Sequence, residues 1–150
     1  MKLPGTRSET LSNVFPFDPN LEPWTPPVAF GVPGTTSSGT QAAITWSGLP
    51  SGTIPSLRVG AEGAASASFG LLIEGTAPSA LSTIYGTLLV GGQVSRRSVF
   101  GITQGTGETP QPFIPGAMVG ESTYFQVWIP DTAAPGGGLL TDALEVEVTP

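Results

Sequence analysis

The chain has 150 residues, and its 21 glycines and 16 prolines make up about a quarter of it, roughly twice ordinary usage. Charged residues are only 11%, and histidine and cysteine are absent, which excludes disulfides, thiol nucleophiles, imidazole bases and the usual zinc ligand sets. The net charge is −6, and the five basic residues (Lys2, Arg7, Arg58, Arg96 and Arg97) are too few for a phosphate-binding footprint, so nucleic acid is not an expected partner.

The first 40 residues differ from the rest. They hold seven of the 16 prolines, each fixing φ and removing a backbone donor, so an extended arm is predicted over residues 1–40. The start is charged and has no apolar h-region, so it does not read as a signal peptide. The arm is apolar: Leu11, Val14, Phe15, Phe17, Trp24 and Phe30 are its interface candidates. Soluble monomers avoid exposing such a run, so the arm is expected to lie on its own domain or on a second copy of the chain. Trp24, set among prolines, is the best single anchor.

From Gln41 onward short alternating runs are separated by Gly/Pro-rich turns. This predicts a single β-sandwich over residues 41–150, all-β, Ig-like or jelly-roll-like, with about seven or eight strands. The predicted strands are Gln41–Trp46, Ser56–Gly60, Ser66–Glu74, Thr83–Val90, Arg97–Thr103, Ser122–Ile129 and Ala143–Thr149. The last alternates most cleanly: Leu144, Val146 and Val148 face one way, Ala143, Glu145 and Glu147 the other. The run Tyr124–Ile129 is apolar on nearly both faces, which suits a central strand or one whose outer face the arm covers. At most one turn of helix is expected, and no apolar run is long enough to span a membrane.

Chemistry has few places to reside. Glu145 and Glu147 share a strand face, but they read more simply as a solvated edge strand guarding against aggregation. Asp131, Asp142 and Glu121 are candidate calcium ligands without an ordered loop motif. Arg96-Arg97 is a candidate anion contact or a solvated strand end. Trp24, Trp46, Trp128, Tyr85 and Tyr124 are candidates for a sugar-stacking platform, against a reading in which Trp46 and Trp128 are core. No catalytic, metal or cofactor residues are assigned, and the chain is not expected to be an enzyme.

Two stretches carry a resemblance. One runs through Pro55–Gly60, Phe69–Ala80 and Ile84–Gly86; the other through Pro115–Gly120, Tyr124–Asp131 and Leu140–Val146. Together they resemble C-terminal β-sandwich modules of secreted planctomycete and myxobacterial proteins, modules with no assigned activity. The resemblance spans residues 49–148 and implies an extracellular β-sandwich. It departs from the pattern in a short, cysteine-free Gly92–Thr109 stretch and in the proline-rich arm.

The resulting expectation is a structural, self-assembling subunit of an extracellular or cell-surface filament, appendage or coat, with the arm docked on a neighbouring copy. The alternatives are a carbohydrate-binding or adhesive module, with glycans as partners, and a viral coat or decoration protein.

Overall fold

A computed structural model describes residues 25–65 and 67–150. Among the described residues the chain is almost entirely antiparallel β, and its one helical piece is a 3-10 turn at Pro135–Gly137. The strands in chain order are β1 (Val28–Phe30), β2 (Gly34–Thr35), β3 (Gln41–Ser47), β4 (Arg58–Glu62), β5 (Phe69–Gly75) and β6 (Ala77–Thr83). They continue with β7 (Gly86–Gly91), β8 (Ser95–Gly101), β9 (Gly107–Glu108), β10 (Ser122–Pro130) and β11 (Gly138–Glu147). The number exceeds the predicted seven or eight because the short edge strands β1, β2 and β9 and the seven-residue β6 are added.

Two sheets form the sandwich. One is four-stranded, in the order β9-β4-β3-β2; the other is five-stranded, in the order β1-β11-β10-β5-β8. The period-two pattern decides which side chains meet between them. Ala42 and Ile44 of β3 and Val59 and Ala61 of β4 face Leu72, Phe100, Phe125, Val127, Leu144 and Val146 of the larger sheet. Phe125 is fully buried and packs edge-on against Phe113, at 5.7 Å between ring centres.

β10 and β11 are the long central strands, paired from Ser122↔Glu147 to Pro130↔Gly138. One extra residue on β11 breaks the register between Gln126 and Trp128. Such a bulge re-aims side chains, and here it turns the Asp142 carboxylate toward β3, where it accepts the Ile44 N–H at 2.7 Å. β11 is not an edge strand at Glu145, contrary to the sequence reading: β1 pairs with it through Ala143↔Phe30, Leu144↔Ala29 and Glu145↔Val28.

A second difference concerns the predicted strand Thr83–Val90. Its first residues form a turn, Thr83–Gly86, and the rest is β7, which pairs back as a hairpin on β6, a strand the sequence reading did not include. Thr83 Oγ1 accepts the Tyr85 N–H at 3.1 Å and donates to the Gly86 carbonyl at 2.8 Å, and Gly86 takes φ 114°. An apolar-looking run is interrupted because a threonine hydroxyl satisfies the turn backbone and glycine admits its left-handed geometry.

This hairpin folds over the outer face of the larger sheet. β10 is a central strand, the first of the two readings given for its apolar run; its outer face meets β7 and, at Tyr124, the Phe30 ring. Fully buried Gln126 makes the join, its Oε1 accepting the Leu89 N–H at 2.9 Å. Its Nε2 donates to the carbonyls of Thr87 (3.0 Å) and Thr141 (2.7 Å). The Leu140 N–H adds a bond to the Tyr85 carbonyl at 3.0 Å.

Candidate functional site

Of the arm's interface candidates, Leu11, Val14, Phe15, Phe17 and Trp24 lie outside the described residues. Phe30 is described, and it sits on its own domain. It pairs with Ala143 on β11, and its ring meets Tyr124 edge-on at 6.3 Å. The last part of residues 1–40 is therefore woven into both sheets, as β1 in one and β2 in the other.

Among the described residues β8 is the longest edge strand of the two sheets, the others being β1, β2 and β9. It pairs with β5 on one side, and among the described residues no strand pairs with Ser95–Gly101 on the other. The register with β5 slips by one residue between Leu72 and Ile73, leaving Arg97 as the extra residue on β8. This bulge throws the Arg97 side chain toward the end of the sandwich. There its Nη1 bonds Glu74 Oε1 at 3.1 Å, its Nη2 donates to the Ile114 carbonyl, and its guanidinium lies 4.9 Å from the Phe113 ring centre. Arg97 thus pins the 110–116 loop to the body. Arg96 stays exposed and has no ion-pair partner among the described residues. The two neighbouring arginines serve different purposes, which their sequence adjacency does not show.

Glu74 is a buried carboxylate that the sequence reading did not single out. Besides Arg97 it accepts the Gly116 N–H and the Thr123 hydroxyl, both at 2.7 Å. Its clue was a lone acid in the apolar run Phe69–Gly75. It borders an open cleft of about 400 Å³ that also takes in Gln93, Ser95, Met118 and Glu121. With every Glu74 bond made inside the protein, the arrangement is a structural clamp at the cleft wall.

An apolar strip flanks β8 on the outer face of the sheet. Val99 is 60% exposed and pairs with Leu71, which pairs with Trp128. The Phe69 ring lies 6.2 Å from Trp128, and Tyr85 meets the same indole edge-on at 5.8 Å. Ile84 and Leu81 of the hairpin extend the exposed apolar surface. Trp128 is therefore not in the sandwich core; it is half-buried outside it, under the hairpin turn. Trp46 lies on the inner face of the other sheet, at its rim and 37% exposed. The sequence-predicted sugar platform is thus dispersed: Trp128 and Tyr85 come together, Tyr124 sits with Phe30, and Trp46 belongs to the opposite sheet.

The candidate calcium ligands are also apart. Asp131 accepts the Ser37 hydroxyl at 2.6 Å and the Ser37 N–H at 2.7 Å, and these bonds hold its carboxyl below the ordinary aspartate value. Asp142 is raised, chiefly by burial, with the charge of Glu62 adding and the Ile44 N–H opposing. Glu121 precedes β10 while Asp131 follows it, a separation of about 30 Å by strand rise. Among the described residues no three acids gather in a cation-binding group. Glu145 and Glu147 do share an exposed face, as expected, and burial together with the charge of Glu145 raises the Tyr124 phenol. No described helix is long and apolar enough to cross a membrane. Compared with family models, curated proteins and solved structures, the chain shows no match.

Proposed function

We propose that the chain is a non-enzymatic structural subunit that assembles with copies of itself into an extracellular or cell-surface filament, appendage or coat. One observation carries this reading: the two edges of the five-stranded sheet are unlike. One edge is β1, three residues of the chain's leading segment paired only with β11; the other is β8, seven residues of the body paired only with β5 among the described residues. Unlike edges favour a heterologous contact, in which one end of a subunit meets the opposite end of the next, and such contacts propagate into rings or open polymers. Residues 1–24 bring Leu11, Val14, Phe15, Phe17 and Trp24 to a body that already exposes Val99, Ile84 and Leu81. The resemblance to modules of secreted proteins supports the extracellular setting, and the same geometry would serve a viral coat or decoration subunit.

The test compares the full chain with one that begins at Thr25, by sedimentation and negative-stain microscopy. The full chain is expected to form assemblies and the shortened chain to be a folded monomer. A full chain that stays monomeric at every concentration overturns the reading.

A carbohydrate-binding or adhesive role is the second reading, favoured by the cluster of Phe69, Tyr85 and Trp128. The Phe69 and Tyr85 rings stand at 47° and 83° to the indole and form no flat platform with it, so it ranks second. Glycan-array binding lost in Phe69→Ala and Tyr85→Ala would promote it.

A further inference from the structure

We infer that the open edge of β8 is the acceptor for residues 9–15 of a second copy, which add to the sheet as a further strand; this rests on the proposed self-assembly. Three observations select that occupant. The first is length. Glu9–Phe15 lies in the longest proline-free run of the leading segment, since prolines at 16, 19, 23, 26 and 27 interrupt the stretch beyond it. Only a proline-free run donates a full ladder of N–H groups, and its seven residues match the seven of β8.

The second is charge. β8 carries Arg96, exposed and without an acidic partner among the described residues. Between Ser8 and Trp24 the leading segment holds three acids, Glu9, Asp18 and Glu22, and no base. Arginines and a bulge on an edge strand normally discourage pairing with another such edge. They repel a second β8 and admit a strand that brings an acid, so the feature that blocks indiscriminate stacking also selects this partner. Beside Arg96, exposed Val99 and the Leu71–Phe69 strip give Leu11 and Phe15 an apolar surface to cover.

The third is where the leading segment departs. Thr25 precedes β1, which is four strand positions from β8 in the same sheet, about 19 Å across. The β6–β7 hairpin stands on the outer face between those two edges, β7 lying against β11, β10 and β5. A copy placed next along the sheet presents its β8 at the edge from which the segment leaves.

The experiment is a charge swap in the full chain, read by sedimentation with circular dichroism as a check of folding. Arg96→Glu and Glu9→Arg are each expected to weaken assembly at least about tenfold in concentration. The double variant, Glu9→Arg with Arg96→Glu, is expected to recover it. If assemblies form and neither single variant weakens them, or if the double variant fails to recover while folded, the β8 site is wrong and the assembly reading stands. If the wild-type chain never assembles, both fail together.

Discussion

The side-chain carbonyl of Gln126 accepts the backbone N–H of Leu89 at 2.9 Å, and through that bond a strand of one sheet holds the hairpin that covers it. The same amide donates to Thr87 and Thr141. A buried polar side chain with its donors and acceptor all met fixes a unique arrangement, whereas losing it strands its partners without water. Gln126→Leu is expected to cost about 3 kcal/mol. Amide exchange should accelerate across β6–β7 before it does in β10 or β11. Unchanged protection in the hairpin would show that its apolar contacts suffice.

Gly138 leaves room for an indole. A Cβ built there would lie 2.3 Å from Trp128 Cζ2, while the backbone itself, at φ −167°, suits any residue. Gly138→Ala is therefore a test of space alone. It should displace the Trp128 ring from Tyr85, shift the tryptophan emission, and destabilise the fold by about 1–3 kcal/mol.

Asp131 and Asp142 give opposite responses to acid. The Asp131 carboxyl lies below the ordinary 3.8, mainly through the Ser37 hydroxyl, so its contribution is present above that value and is lost as pH falls through the lower folded value. The Asp142 carboxyl lies above 3.8 through burial, so its ionisation weakens the fold at neutral pH, and acidification through the raised value relieves the penalty. Asp142→Asn keeps an acceptor for the Ile44 N–H and removes the charge. Its melting temperature should exceed that of the wild type at pH 7, with the advantage shrinking as pH approaches 3.8. Asp131→Asn should show a deficit at pH 7 that shrinks on acidification below 3.8.

Arg97 and Glu74 should prove coupled. Arg97→Ala leaves a buried carboxylate with two neutral donors and releases the Ile114 carbonyl, at a cost of about 2–3 kcal/mol. The double variant with Glu74→Gln should lose less than the sum of the single changes, because the amide needs no counter-charge. Strict additivity in a thermal-melting cycle would contradict the clamp.

The two halves of the leading segment should respond differently to truncation. A chain starting at Thr25 keeps β1 and should melt close to the full-length chain. Removing residues through Pro33 also deletes Phe30 from its contact with Tyr124 and uncovers the β11 edge, with an expected loss of about 2 kcal/mol or more.

Much of the fold was legible because alternation survives in single strands. Leu144, Val146 and Val148 point inward as their spacing implies, and the ends of β3 and β10 fall within a residue of their predicted places. Pairing partners were not legible. Nothing local in Ala143–Glu147 distinguishes an edge strand from an internal one; three residues of β1, distant in sequence, decide it. Nor does a run such as Thr83–Val90 reveal that Thr83 will close a turn. The interaction surface was harder still. The outer strip joins Val99, Leu71, Phe69 and Trp128 from three strands, and Arg97 differs from Arg96 only because a bulge turns it toward Glu74.

The antiparallel register of β1 on β11 has a mechanical consequence. Val28 lies opposite Glu145, so the backbone running back toward Thr25 and the one running on toward Pro150 leave from the same pole of the sheet. Tension applied between those two directions pulls across the strands, and the β1–β11 hydrogen bonds yield one after another, as in a zipper. A pull along the strands would instead strain them all at once. Under load between its two ends, the molecule should surrender β1 at low force, well before the buried ladder of β10 and β11 gives way.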